Sequence, residues 1–135
     1  MQIENVKARP DQTPRRTISS GGAYENFFGY SRAIVAGNQV HVSGTCAPAS
    51  HEHDDAYVQA KAALGVIANA LAEAGATPSD VVRTVVYLRE ISDADDVARA
   101  HVEMFDATRP ASTLIQVTSM IRAWQKVEIE AYAIL

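Results

Sequence analysis

A single cysteine, Cys46, occurs in the 135 residues. No intrachain disulfide can form, and nothing calls for an oxidising compartment. Basic residues are not clustered: Arg15-Arg16 is an isolated pair, Arg83, Arg89 and Arg99 are scattered, and the net charge is -4. A sequence-independent grip on a phosphate backbone needs grouped Lys and Arg, so no nucleic-acid partner is expected. No apolar run approaches the ~20 residues that span a bilayer. The start of the chain lacks the basic-then-apolar pattern of a signal peptide. No membrane association is expected, and a cytoplasmic location is the default expectation. There is no low-complexity tract and no repeat at the period of the common solenoid arrays.

What is present reads as one ordinary domain, with 47% hydrophobic and 21% charged residues. Residues 1–23 are polar and carry Pro10, Pro14 and Gly21-Gly22. They read as an arm ending in a turn, with a possible edge strand around Thr17 to Ser19. Residues 24–135 form the domain proper. Ser31 to Ala36 and Gln39 to Ser43 are short apolar runs separated by Gly37-Asn38, a pair that supplies the positive φ angles of a tight hairpin. Asp54 or Asp55 caps a helix to about Ala74, with Tyr57, Ala60, Leu64, Ile67, Ala68 and Leu71 on one stripe. Gly75 stands at its left-handed end.

Val81 to Arg89 reads as a strand. Alternation places Val82, Thr84, Val86 and Leu88 on one face and Val81, Arg83, Val85 and Tyr87 on the other. Ser92-Asp93-Ala94-Asp95 resembles a side-chain-capped start of a second helix carrying Val97, Ala100, His101, Met104 and Phe105. Leu114 to Thr118 and Lys126 to Ile134 are the last strands, joined by a loop. In the final one Val127, Ile129, Ala131 and Ala133 oppose Lys126, Glu128, Glu130 and Tyr132. The expected architecture is an α+β sandwich: one mixed sheet with two helices on one face. The other face mixes Arg83, Val85, Tyr87, Glu128, Glu130, Tyr132 and Ile134. Homo-oligomerisation would cover it, and ligand sites often fall at such boundaries.

Several motif pieces occur in a definite order: Gly29-Tyr30-Ser31-Arg32-Ala33, Gly37-Asn38, Val42-Ser43-Gly44, Gly75-Ala76, Asp80-Val81-Val82-Arg83-Thr84, Arg109-Pro110-Ala111-Ser112-Thr113 and Val127-Glu128-Ile129-Glu130-Ala131. Each is weak alone; together, from Tyr24 to Leu135, they resemble the RidA/YjgF superfamily. The resemblance implies a chorismate-mutase-like fold, a homotrimer with small-molecule clefts between subunits, and hydrolysis of enamine or imine intermediates to ketoacids and ammonia. It makes Glu128 the water-orienting catalytic residue, with Tyr30, Ser43 and Gly44 lining the pocket. The position where deaminating members carry an arginine, right after Pro110-Ala111, is Ser112. The small cysteine-bearing position is Leu114, and the expected asparagine is Ala98. The chain therefore resembles an arginine-lacking branch. Without a guanidinium fork the ligand is expected to be less anionic, or held in another pose.

Around that core, Ser112 and Thr113 are candidates for ligand hydrogen bonds or for satisfying backbone groups at a strand start. Arg122, in the loop before the last strand, and Arg32 are candidate substitutes for the missing arginine. Glu128 itself reads either as a water-positioning base or as a strand carboxylate facing solvent or an intersubunit arginine. His51-Glu52-His53 is the one metal-like cluster, but zinc needs further ligands at fixed geometry, so no metal or cofactor is expected. Cys46 follows the pocket strand with no His or Lys neighbour to activate it. Trp124 either lids the cleft or packs on a neighbouring subunit. The first functional expectation is a trimeric hydrolase acting on a C–N bond of an enamine or imine. The alternatives are a non-catalytic metabolite-binding trimer, which the lost arginine and asparagine favour, and a protein-interaction role. Ribonuclease and translation-inhibitor roles attached to relatives find no basic groove or acid–base pair here.

Overall fold

The computed structural model describes residues 13–135; the first half of the proposed arm, with Pro10, lies outside the described residues. Strand β1 (Arg15–Ile18) precedes a short helix α1 (Ala23–Phe28). The hairpin β2 (Ala33–Ala36) and β3 (Gln39–Thr45) follows. Then come α2 (Ala56–Glu73), β4 (Val81–Leu88), α3 (Ala94–Phe105), β5 (Ala111–Gln116) and β6 (Val127–Ile134). One six-stranded sheet results, in the order β1-β2-β3-β6-β4-β5. Among the described residues, only the β4–β5 pair is parallel. It needs a crossover, and α3 supplies it. The last strand thus enters the middle of the sheet rather than pairing with the one before it.

Burial follows the patterns where they are strong. Val127, Ile129, Ala131 and Ala133 are all buried beneath α2, whose Ala60, Leu64, Ile67 and Leu71 pack into the same core. Asp55 caps α2 by accepting from Val58 N at 2.9 Å. Gly75, at φ 83°, ends it, and Ala76 N donates back to Leu71 O. Both long helices lie on this one face. None is long and apolar enough to cross a membrane among the described residues.

Three local expectations are corrected. In β4, Val81 pairs with Ala133 and Arg83 with Tyr132, leaving Val82 as a bulged residue. Val81 therefore joins Thr84, Val86 and Leu88 in the core, and Val82 turns outward at 45% exposure. At the start of α3, Asp93 makes no side-chain cap; a 3₁₀ turn over Ile91–Asp93 runs straight into the helix. In the β2–β3 turn only Gly37 takes a positive φ, and Asn38 does not.

The helix α1 carries no apolar stripe to announce it. Its order comes from Glu25, which is 4% exposed. The carboxylate accepts from Gly22 N (2.6 Å), Ser20 N, Ser20 Oγ and Arg32 N. Burial alone would raise the Glu25 pKa; the hydrogen bonds from Gly22 and Ser20 outweigh it and hold the group below its ordinary value. Gln59, fully buried, plays a similar part for the other end of the sheet. Its amide donates to the carbonyls of His51, Asp54 and Trp124, and its oxygen accepts from Lys126 N at 2.9 Å. That latch fixes the approach to β6 and so the height at which Glu128 emerges.

Candidate active site

Alternation along β6 sends Glu128 and Glu130 to the face away from the helices. There they border an open cleft of about 250 Å³ with Gly44, Tyr87, Val117, Ser119 and Met120. On one protomer this is smaller than the ~300–1,000 Å³ of drug-sized pockets. The floor is made by an irregularity in β3. Register with β6 runs regularly to Val42–Ala131 and resumes at Thr45–Ile129. Within that interruption Gly44 meets the Glu128 side chain so closely that a Cβ there would lie 2.1 Å from Glu128 Oε1. Glycine is required by the carboxylate, not by the backbone angle.

The interruption is held from behind by Arg32, which is 7% exposed. Its Nη1 donates to Gly44 O and to Thr45 Oγ1, both at 2.8 Å. Nη2 donates to Tyr30 Oη at 2.9 Å, and Nε to Ser20 Oγ at 3.3 Å. Arg32 is thus fully engaged in shaping the wall and is no free substitute for a substrate-binding arginine.

The second oxygen of Glu128 accepts from Cys46 Sγ at 3.6 Å. Burial, then the neighbouring Glu128 charge, push the Cys46 thiol up to about 12, against a weaker opposing pull from Arg32. Glu128 therefore sits beside a protonated thiol at neutral pH. Alkylation of Cys46 by iodoacetamide at pH 7.5 is expected to run at least about 100-fold slower in the folded protein than in the urea-unfolded chain, because the thiolate is the reacting form. Equal rates, followed by mass spectrometry, would contradict the burial of this thiol against the carboxylate.

Glu130 is clasped by the hydroxyls of Tyr87 and Tyr132, which donate to its two oxygens. That acceptance holds the Tyr87 phenol up at about 12, burial adding to it, and raises Tyr132 likewise. Both phenols therefore remain donors through the neutral range.

Of the residues expected at the site, Gly44 and Glu128 line this cleft. Tyr30 stands behind it on Arg32, and the Ser43 hydroxyl donates to Ser31 O at 2.7 Å. Ser112 accepts from Thr84 Oγ1 at 2.7 Å, and that hydroxyl is 2.8 Å from His101 Nε2. Within one protomer Ser112 therefore lies on the helix side of the sheet, opposite Glu128. Thr113 accepts from Arg83 at 3.1 Å. Arg122 stacks over Tyr24, 5.5 Å from the ring centroid. His51 and His53 pair with Asp54 and Glu52 respectively. Among the described residues no three His, Cys, Asp or Glu side chains converge as a metal site would need. Trp124 is half-buried and offers its carbonyl to Gln59.

Tyr87 and Glu130 as site members could have been read from alternation, since they share the outward face with Glu128. The 117–120 stretch carried no such signal; only the fold brings it to the rim.

Residues 22–135 match the family Endoribonuclease L-PSP. The chain is 42% identical over 122 residues to "Uncharacterized protein SCO2049" of Streptomyces coelicolor, covering 87% of this chain and 91% of the relative. It is 32% identical over 124 residues to the human 2-iminobutanoate/2-iminopropanoate deaminase, covering 89% and 90%. Among solved structures, Rv2704 from Mycobacterium tuberculosis, described as a member of the YjgF/YER057c/UK114 family, superposes with a TM-score of 0.84 at 40% identity, over 90% of this chain and 99% of that one. A sheet with Glu128 seated on Gly44, the motif order from Tyr24 onward and these matches agree: the chain belongs to the Endoribonuclease L-PSP family, the YjgF/RidA family.

Proposed function

We propose that this protein hydrolyses the C–N bond of a small enamine or imine, giving a carbonyl compound and ammonia, with Glu128 positioning the water. The observation that carries the reading is the seat of Glu128. One oxygen is packed on Gly44, the other is met by the Cys46 thiol, and the carboxylate borders an open cleft. A protonated imine carbon is the electrophile. Water held by Glu128 attacks it, its oxygen bonding to carbon while the C=N π electrons move to nitrogen. Glu128 takes the proton from the attacking water and returns it to the nitrogen. Collapse of the carbinolamine then expels ammonia as the C=O forms, so R₂C=NH₂⁺ and water become R₂C=O and NH₄⁺. General acid–base work of this kind contributes about 10²–10⁴-fold.

The working form is a homotrimer whose clefts lie at subunit boundaries. Phe27 and Phe28 on α1 are 86% and 79% exposed, and Ile121 is 75% exposed. Among the described residues, neither α2 nor α3 covers the sheet face bearing Glu128 and Glu130. Apolar side chains bared this way are normally covered. A second copy would also bring its own loop and strand groups to the cleft, Ser112 and Thr113 among the candidates.

The test is ammonia release from a panel of enzymatically generated imines, with Glu128→Gln beside the parent protein. The expected result is acceleration over the uncatalysed rate, cut by at least about 100-fold in the variant. Turnover unchanged by Glu128→Gln would remove this carboxylate from the mechanism. No turnover together with saturable binding of a small ligand would favour the metabolite-binding alternative, which the Ser112 hydroxyl in place of an arginine supports.

A further inference from the structure

The cleft wall is acidic. Its seven lining residues include two carboxylates, Glu128 and Glu130, one phenol, one hydroxyl and a thioether, and no Lys or Arg. The nearby described guanidiniums are committed elsewhere. Arg32 is buried behind Gly44 with all its nitrogens donating to the protein. Arg83 donates to Thr113, and Arg122 lies over Tyr24. On the wall that this protomer supplies, a ligand carboxylate would meet two like charges at close range and no bidentate partner, whereas a cation would be drawn in.

We infer that the preferred substrate is a protonated imine without a carboxylate, the iminium of a simple primary amine rather than of an α-amino acid, with Glu130 as its counter-ion. This rests on the hydrolytic reading of the cleft. It assigns the two glutamates different tasks. Glu128, on the glycine floor, faces the attacking water. Glu130, held by the Tyr87 and Tyr132 hydroxyls, keeps a fixed negative charge beside the reacting nitrogen. The iminium is the electrophilic form of the substrate, so a group that favours its charge also favours its reactivity. The class of reaction that supplies such a substrate is two-electron oxidation of a primary amine, and the products are an aldehyde or ketone and ammonium.

The experiment compares two imines made in situ: 2-iminopropanoate from alanine and an amino-acid oxidase, and the primary imine of 1-phenylethylamine from a flavin amine oxidase. Semicarbazide is present as a trap, and the fall in semicarbazone formation as enzymatic hydrolysis competes for each imine gives the rate. The expected result is a kcat/KM at least tenfold higher for the carboxylate-free imine. In Glu130→Gln, which keeps the side-chain shape, that preference should shrink towards unity; a circular dichroism spectrum confirms that the variant is folded. Equal or better turnover of 2-iminopropanoate would overturn the inference and leave the hydrolase reading standing. A preference that survives Glu130→Gln undiminished would remove Glu130 as its cause and overturn the assignment. Failure to accelerate either imine would overturn the hydrolase reading itself, and the substrate class with it.

Discussion

Gly44→Ala is expected to cost roughly 100-fold in kcat/KM while leaving the fold nearly untouched. The added Cβ would lie 2.1 Å from Glu128 Oε1, 3.0 Å from its Cδ and 3.3 Å from its Cγ, so the carboxylate must leave its seat. The cost to stability is small because what moves is the end of a flexible side chain, and Gly44 has no positive φ that alanine would resist. The cost to chemistry is large because misplacing a reacting group by about 1 Å can lose about 10²-fold. Displacement also breaks the contact from Cys46. The two readouts are the thermal midpoint, expected to shift by only a few degrees, and imine turnover. Unchanged turnover would show that the observed position of Glu128 has no bearing on the reaction.

Arg32→Met should have the opposite profile, a heavy loss of stability. Arg32 is 7% exposed, and its guanidinium donors serve Gly44 O, Thr45 Oγ1, Tyr30 Oη and Ser20 Oγ. Methionine fills part of the volume and satisfies none of them. A buried acceptor left unpaired costs about 1–3 kcal/mol; three of the four are only part-buried and can turn to water, so a total near 2–5 kcal/mol is expected. With the urea slope of about 1–3 kcal/mol/M usual for a small domain, the unfolding midpoint should fall by at least about 0.7 M. Arg32→Lys should recover little, since a single ammonium nitrogen cannot span the four acceptors that the three guanidinium nitrogens reach. A loss below about 0.5 kcal/mol in Arg32→Met would mean that the network does not hold the β3 interruption in place.

These two residues also show where sequence reasoning reached and where it stopped. Elements with a sustained period were legible: the α2 stripe ends at Gly75 as its spacing suggests, and β6 alternates without a fault from Val127 to Ala133. Faults in the period were not. A single bulged residue at Val82 reverses the apparent faces of Val81 and Val82, and no residue type announces it. Chain order did not reveal that β6 enters between β3 and β4. That follows from tertiary pairing, and with it comes the meeting of Gly44 with Glu128. Arg32 looked like a candidate ligand group because it follows Tyr30 by two residues; its burial depends on four acceptors that only the folded chain gathers. Ser112 sits in the right motif, yet parallel pairing with Thr84 turns its hydroxyl to the helix side of its own protomer.

The double clasp on Glu130 has a consequence for how tightly so small a cleft can hold anything. Immobilising side chains on association costs about 0.5–1.5 kcal/mol each, a burden that a ligand of few atoms can hardly offset. Here the freedom of both phenol rings and of the carboxylate between them is already lost when the chain folds. Preorganised in this way, the group is aimed before any guest arrives, and in the proposed hydrolysis it need not reorient as bonding changes at the reacting carbon.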